Sequence, residues 1–309
     1  MRHRLLASCA LVVAASCGRD ATAPAVAVVP DPAPVPPADT RLVFTSQATG
    51  GTSLWSIRPD GSDPIRLSPV GTGGDIFSAV SPSGGRIAFA NGASLWTMNA
   101  DGSDRRVVTT AAGRVGFPEW SRDERSLYFY STLEQKVWKL SLSSGAVALL
   151  DTASLDEQSP SLSPDESRIA FSSQKSAGSG SGLVELHVMR VDGTELHRIS
   201  VSSPGVSLGD DGASWSPDGT KLLFARTVGA EPANIWVMNS DGSGLRMLIP
   251  GTEDDMDPTW SPDGHWIAFA RFVGGRRDIF IAQADGTGIR NVTRSIASDD
   301  QFPRWGRIR

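Results

Sequence analysis

From residue 41 onward the chain alternates short apolar runs with turn residues. Lys221-Leu222-Leu223-Phe224-Ala225 is one such run, Ile235-Trp236-Val237-Met238-Asn239 is the next, and Leu245 to Leu248 is a third. Each is too short for a helix and rich in the residues that favour a pleated surface, which predicts three strands, B, C and D. Pro217-Asp218-Gly219 and Asp241-Gly242 stand at the joints, where they predict tight hairpin turns. A strand A ending at Ser214-Trp215 comes before them. Strand B recurs as Leu42-Val43-Phe44, Ile87-Ala88-Phe89, Leu127-Tyr128-Phe129, Ile169-Ala170-Phe171 and Ile267-Ala268-Phe269. Strand C recurs as Leu54-Trp55, Leu95-Trp96, Val137-Trp138, Leu186-His187-Val188 and Ile279-Phe280. No stretch sustains a helical period.

The unit that repeats is Trp260-Ser261-Pro262-Asp263-Gly264. It returns intact at Trp215 to Gly219, in weaker form at Ser81, Trp120-Ser121 and Ser163, and partially at Trp305-Gly306. Aligned on the Ser, or on Gly306, the steps are 40, 42, 53, 45 and 45 residues. A period of about 40–45 residues with strand content predicts a β-propeller. The first unit, 41–68, has strands B, C and D but no A. The last segment, Gln301 to Gly306, is an A strand with no successor. Pairing the two closes a ring without exposed edges. The expectation is therefore an all-β, six-bladed propeller of four-stranded antiparallel blades over residues 40–309, its C-terminal strand completing the N-terminal blade.

The other segments read differently. Arg2-His3-Arg4 and the apolar stretch Leu5 to Ala15 predict an export signal over residues 1–17, too short to span a bilayer. Ala14-Ala15-Ser16-Cys17 is similar to a bacterial lipobox, which makes Cys17 the expected lipidation site. Leu6-Ala7-Ser8-Cys9 fits the letters but leaves almost no apolar run before it. Gly18 after the Cys resembles lipoproteins sent to the outer membrane. Residues 18–39 carry six prolines among Ala, Val and Asp. They predict an extended linker rising about 3.1 Å per residue where it is polyproline-like.

Composition narrows the function. With 29 Lys and Arg against 34 Asp and Glu, the net charge is −5. A protein that neutralises phosphates needs a basic surface, so nucleic acid is not an expected partner. Both cysteines precede the propeller, and no two of the four histidines have ligand spacing, so neither thiol chemistry nor zinc is expected. No cofactor is called for. Gly205 to Gly209 matches the letters of a hydrolase nucleophile elbow, but that motif needs a strand-to-helix turn in an α/β sheet.

The blade topology sorts the loops. A→B and C→D turns share one face and are monotonous. D→A and B→C connections share the other and vary, including Thr45 to Ser53, Ser131 to Lys136, Ser172 to Gly182, Thr227 to Asn234 and Phe272 to Asp278. Varied loops on a rigid scaffold are where binding residues gather. Six residues before each aligned Ser or Gly306 stand Asp75, Val115, Glu157, Asp210, Asp255 and Asp300, five of the six acidic, with Asp211 and Asp257 nearby. Each precedes the innermost strand. They are expected to ring one channel mouth and attract a basic partner, or else to fix the D→A turns. Trp120, Trp215, Trp260 and Trp305 are expected in the core between blades. Trp266 and His265 are expected to be exposed.

These repeats resemble those of the TolB family, whose blades carry the Trp-Ser-Pro-Asp-Gly, Ile-Ala-Phe and Asp-Ile-Trp-Val-Met-Asn-x-Asp-Gly patterns. The resemblance covers about 41–309 and implies a six-bladed propeller used for protein contacts in the bacterial envelope. TolB carries an N-terminal α/β domain, and here the proline-rich linker stands in its place. The expected function is a non-catalytic, lipid-tethered, monomeric propeller, periplasmic or surface-exposed. It would bind an envelope protein or peptide through Asp75, Glu157, Asp210, Asp211, Asp255, Asp257 and Asp300. The alternative is a propeller that binds or processes polysaccharide, with Phe77, Phe117, Phe272 and Phe302 as exposed aromatics.

Overall fold

The Trp-Ser-Pro-Asp-Gly segment folds into a closed hydrogen-bond circuit. The Ser216 hydroxyl donates to Asp218 at 2.6 Å, Asp218 accepts the Thr220 N–H at 3.0 Å, and the Ser216 oxygen accepts the Lys221 N–H at 2.9 Å. Ser261 and Asp263 repeat it around Trp266, as do Ser121 with Asp123 and Ser163 with Asp165. The turn therefore satisfies its own donors while reversing the chain between strands A and B. Gly219 and Gly264 end the turn at positive φ. Glu124 and Glu166 hold the same place at φ 56° and 59°. Their carboxylates accept the Ser83 and Arg122 N–H groups of the preceding blade, contacts that offset a strained backbone.

A computed structural model describes residues 36–48, 51–71, 73–110, 113–150, 156–174, 184–200, 208–296 and 298–308. The signal segment, Cys17, residues 18–35 of the linker, most of the Ser172 to Gly182 loop and Gly205 to Ser207 lie outside them. Among the described residues there is no helix, and the strands form six four-stranded antiparallel sheets. The inner strands are β4 (Asp75–Val80), β8 (Val115–Trp120), β12 (Gln158–Leu162), β16 (Leu208–Trp215), β20 (Asp255–Trp260) and β24 (Asp299–Gly306). Five blades run in chain order from their inner strand. The remaining one is β24 followed by β1 (Arg41–Ala48), β2 (Gly51–Ile57) and β3 (Ile65–Arg66). β24 pairs with β1 antiparallel, from Arg41 opposite Gly306 to Gln47 opposite Asp299. The ring closes as the unmatched ends of the sequence require.

The core lies within and between blades. Phe44, Phe89, Phe129, Phe171, Phe224 and Phe269, one strand-B residue per blade, are all fully buried. Each contributes about 1.5–3 kcal/mol by leaving water. Trp120, Trp215, Trp260 and Trp305 are buried too. The indole N–H groups of Trp120 and Trp215 donate to Ala79 O and Ser161 O of the preceding blade, both at 3.1 Å, so these two also tie neighbouring blades together.

Two expectations change. Trp266 is buried, not exposed. It packs with Leu42 and Ile279 in the joint to the first blade, with the Arg290 guanidinium 5.2 Å over its ring; His265 beside it does point outward. The segments Thr45 to Ser53 and Phe272 to Asp278 are mostly strand rather than loop. Phe272 pairs with Arg277 and Val273 with Arg276, which leaves Gly274 and Gly275 as a two-residue turn at φ 61° and 90°. Two positive φ angles suit the right-handed twist of a hairpin, and glycine supplies them without steric cost.

Candidate functional site: the channel at the loop face

The recurrent acid stands where the repeat puts it, at the start of each inner strand, but it does not face the mouth. Asp75, Glu157, Asp210, Asp255 and Asp300 are all fully buried. In the fifth and sixth blades the reason is a cross-strand partner. Asp210 lies opposite Arg226 and Asp255 opposite Arg271, and each pair is bidentate at 2.6 and 2.7 Å. In the second blade Asn91 takes the cross-strand place, and Arg105 reaches in at 2.7 and 3.0 Å. Each guanidinium also lies over two aromatic rings of its blade, such as Phe224 and Trp236 for Arg226, both at 5.2 Å. A buried carboxylate needs such neutralisation to stay charged.

These acids also tie one blade to the next. The Ser68 hydroxyl accepts the Leu54 N–H in the first blade and donates to Asp75 in the second at 2.6 Å. Glu157, one methylene longer, accepts the equivalent Val137 N–H directly at 2.9 Å while holding Lys136 at 2.5 Å. Among the described residues Asp300 has no cation partner. Ser298 donates to it at 2.7 Å, and burial pushes its pKa up to about 6. The expected ring of mouth charges is thus corrected for these five. Strand pairing turns them inward, where they bind cations, amides or hydroxyls of the protein instead of facing solvent.

The channel is lined by a different repeat position, four residues before the aligned Ser or Gly306. It holds Phe302, Phe77, Phe117, Ser159, Gly212 and Asp257 in order around the ring. All have positive φ, between 48° and 66°. The register shift of every inner strand falls here, so each is a β-bulge residue that re-aims its side chain. Phe77 lies 4.1 Å from Phe117 and 4.6 Å from Phe302 between ring centroids. Rings from three neighbouring blades can meet this closely only where the blades converge, on the channel axis. Half of this layer is therefore aromatic.

The other half is small or acidic. Asp257 accepts the Phe302 N–H at 3.4 Å across the ring closure. Enclosure by protein and the Asp211 charge push its pKa up to about 6, against the pull of Arg304. Asp211 itself is exposed, and accepts from Ser172 Oγ and the Gly212 N–H. Of the seven acids expected at the site, these two retain access to solvent. Deeper in the channel Glu119 is raised to about 7 by burial, with Arg304 opposing. Phe272 projects from the far sixth-blade hairpin, away from the three clustered rings. Among the described residues no His, Cys, Asp or Glu cluster could hold a metal ion.

Fold and channel together define a six-bladed β-propeller with varied loops over a half-aromatic, half-polar bore. No family model matches the chain. The fold is shared with TolB of Acinetobacter baumannii, at a TM-score of 0.74 and 18% identity over 88% of this chain and 68% of that one. A putative TolB from Agrobacterium tumefaciens aligns at 0.64 and 16% identity over 82% and 88%. A chain of a nidogen–laminin complex aligns at 0.70 with 9% identity over 86% and 98%. The TolB-like propeller expected from the repeats is the fold found.

Proposed function

We propose that this protein is a non-catalytic binding module of the bacterial envelope that holds a protein or peptide partner at the loop-side channel mouth. The observation that carries the reading is the split bore. Phe77, Phe117 and Phe302 offer apolar surface on one side, and Asp257 with Asp211 offers negative charge on the other. A rigid ring presents both without paying to order them, which favours affinity. A segment with an apolar side chain next to a Lys or Arg matches this arrangement. The TolB-like fold and the nidogen–laminin structure support protein partners in general. The Cys17 lipobox and the proline-rich linker support a tether to the outer membrane. The buried acids take no part in contact and set the geometry of the strands that do.

The test is association kinetics with a partner captured from envelope extract, comparing the natural protein with Asp211→Asn plus Asp257→Asn. The double variant is expected to associate several-fold more slowly at low salt. The gap should close as the Debye length falls from about 30 Å at 0.01 M to about 8 Å at 0.15 M salt. Equal rates at every salt concentration would remove these two residues from the interface.

A further inference from the structure

Beside the bore, between the second and third blades, the loop face opens into a cavity of about 590 Å3. Small-molecule sites commonly measure about 300–1,000 Å3. Its floor is the Phe77–Phe117 pair. Gly116 adjoins that floor, and a Cβ there would press on the Phe77 ring at 3.1 Å. Ile76 and Val115 extend the apolar lining.

Two polar groups meet this lining. Tyr130 lines the cavity with only 8% of its surface exposed, and among the described residues its hydroxyl has no protein partner. Burial and the charges of Asp156 and Glu157 push its pKa up, so the phenol keeps its proton and remains a donor. Arg114 stands exposed at the rim, and its guanidinium pairs with no carboxylate among the described residues. Asp75, the acid behind this wall, is already bound by Arg105 and Asn91. The cavity thus combines an aromatic floor, a neutral hydroxyl donor and a cation that no carboxylate pairs among the described residues.

We infer that this cavity binds a small amphiphilic acid, its aromatic or aliphatic body on the Phe77–Phe117 floor and its carboxylate or sulfonate toward Tyr130 and Arg114. The charge preference is opposite to that of the acidic half of the bore. The site shares Phe77 and Phe117 with the proposed partner surface but differs from it in charge, so binding of the probes below reports on it without reference to partner association.

The test uses two fluorescent probes of the same shape, anionic anilinonaphthalenesulfonate and neutral N-phenylnaphthylamine, titrated into the folded full chain. The anion is expected to bind saturably and more tightly than the neutral probe. Arg114→Gln should weaken the anion about tenfold, the loss of one charge-assisted hydrogen bond, and leave the neutral probe within twofold. Thr132→Trp, at the exposed lip, should weaken both probes by blocking entry. Thermal melts of each variant matching the natural protein confirm that the change is local. Absence of saturable binding would overturn the proposal. So would an anion affinity unchanged by Arg114→Gln, or probe binding undisturbed by Thr132→Trp in a folded protein.

Discussion

The two ends of each inner strand carry aspartates of opposite character. At the turn end, Asp123, Asp165, Asp218 and Asp263 accept a Ser hydroxyl and a backbone N–H near the surface, and these donors hold their pKa values below the usual range. At the loop end, Asp210, Asp255 and Asp300 are buried, and burial pushes their pKa values up. One residue type thus does two jobs within a single strand. A solvated carboxylate is stabilised by any donor that reaches it. A buried one must recover its lost hydration from a full partner, and is costly where the partner is missing.

The sharpest way to break this contrast is to remove one acid from each end. Asp210→Ala leaves the nearly inaccessible Arg226 uncompensated and is expected to cost about 3–5 kcal/mol. Asp218→Ala opens a surface turn and is expected to cost about 0.5–1.5 kcal/mol. Urea melts of the two variants measure the difference, and equal losses would erase the distinction.

A smaller effect separates the ends by pH. Asp165, held at about 2, contributes stability that is present above its unfolded value and is lost as pH falls through about 2. Asp300, raised to about 6, works in the other direction. Its contribution is present below its unfolded value and is lost as pH rises through about 6. Asp300→Asn should therefore be more stable than the natural protein at neutral pH, by about 1–3 kcal/mol, and about equal to it near pH 4. Thermal melts across that range would show the two curves converging on the acid side. Curves that stay parallel would place the Asp300 titration elsewhere.

The smallest change in stability is expected from Asp211→Asn, within about 0.5 kcal/mol, because its carboxylate is exposed. That near-neutrality is what makes it useful in binding experiments. Any loss of association can then be assigned to the surface charge and not to unfolding.

Much of the fold was legible in the chain. The repeat step, the strand-B phenylalanines and the missing first A strand together specified six blades and their closure. The acids were found at the right strand position but given the wrong surroundings. A signal was present, since Arg226 and Arg271 stand sixteen residues after Asp210 and Asp255, at the cross-strand partner position. The aromatic layer was half visible. Phe77, Phe117 and Phe302 were recognisable as candidates, but not as one repeat position with positive φ. Nothing in a Phe betrays a left-handed backbone, because the bulge that imposes it comes from strand pairing. Trp266 was misjudged for a similar reason, being covered by the neighbouring first blade as well as by its own.

What the sequence by itself determined was the repeating unit: turn circuits, strand alternation and blade number, all set by interactions spanning a few residues to one period. What only the tertiary structure decided was which way each side chain faces once six units close into a ring. Asp75, Glu157 and Asp300 became joints between blades, while Asp257 at a bulge turned into the bore. Those fates depend on contacts between residues far apart in the chain, such as Asp257 with Phe302 and Ser46 with Ser298 beside Asp300. Local pattern carries no record of such contacts, because closure creates the surroundings that make a carboxylate buried or free.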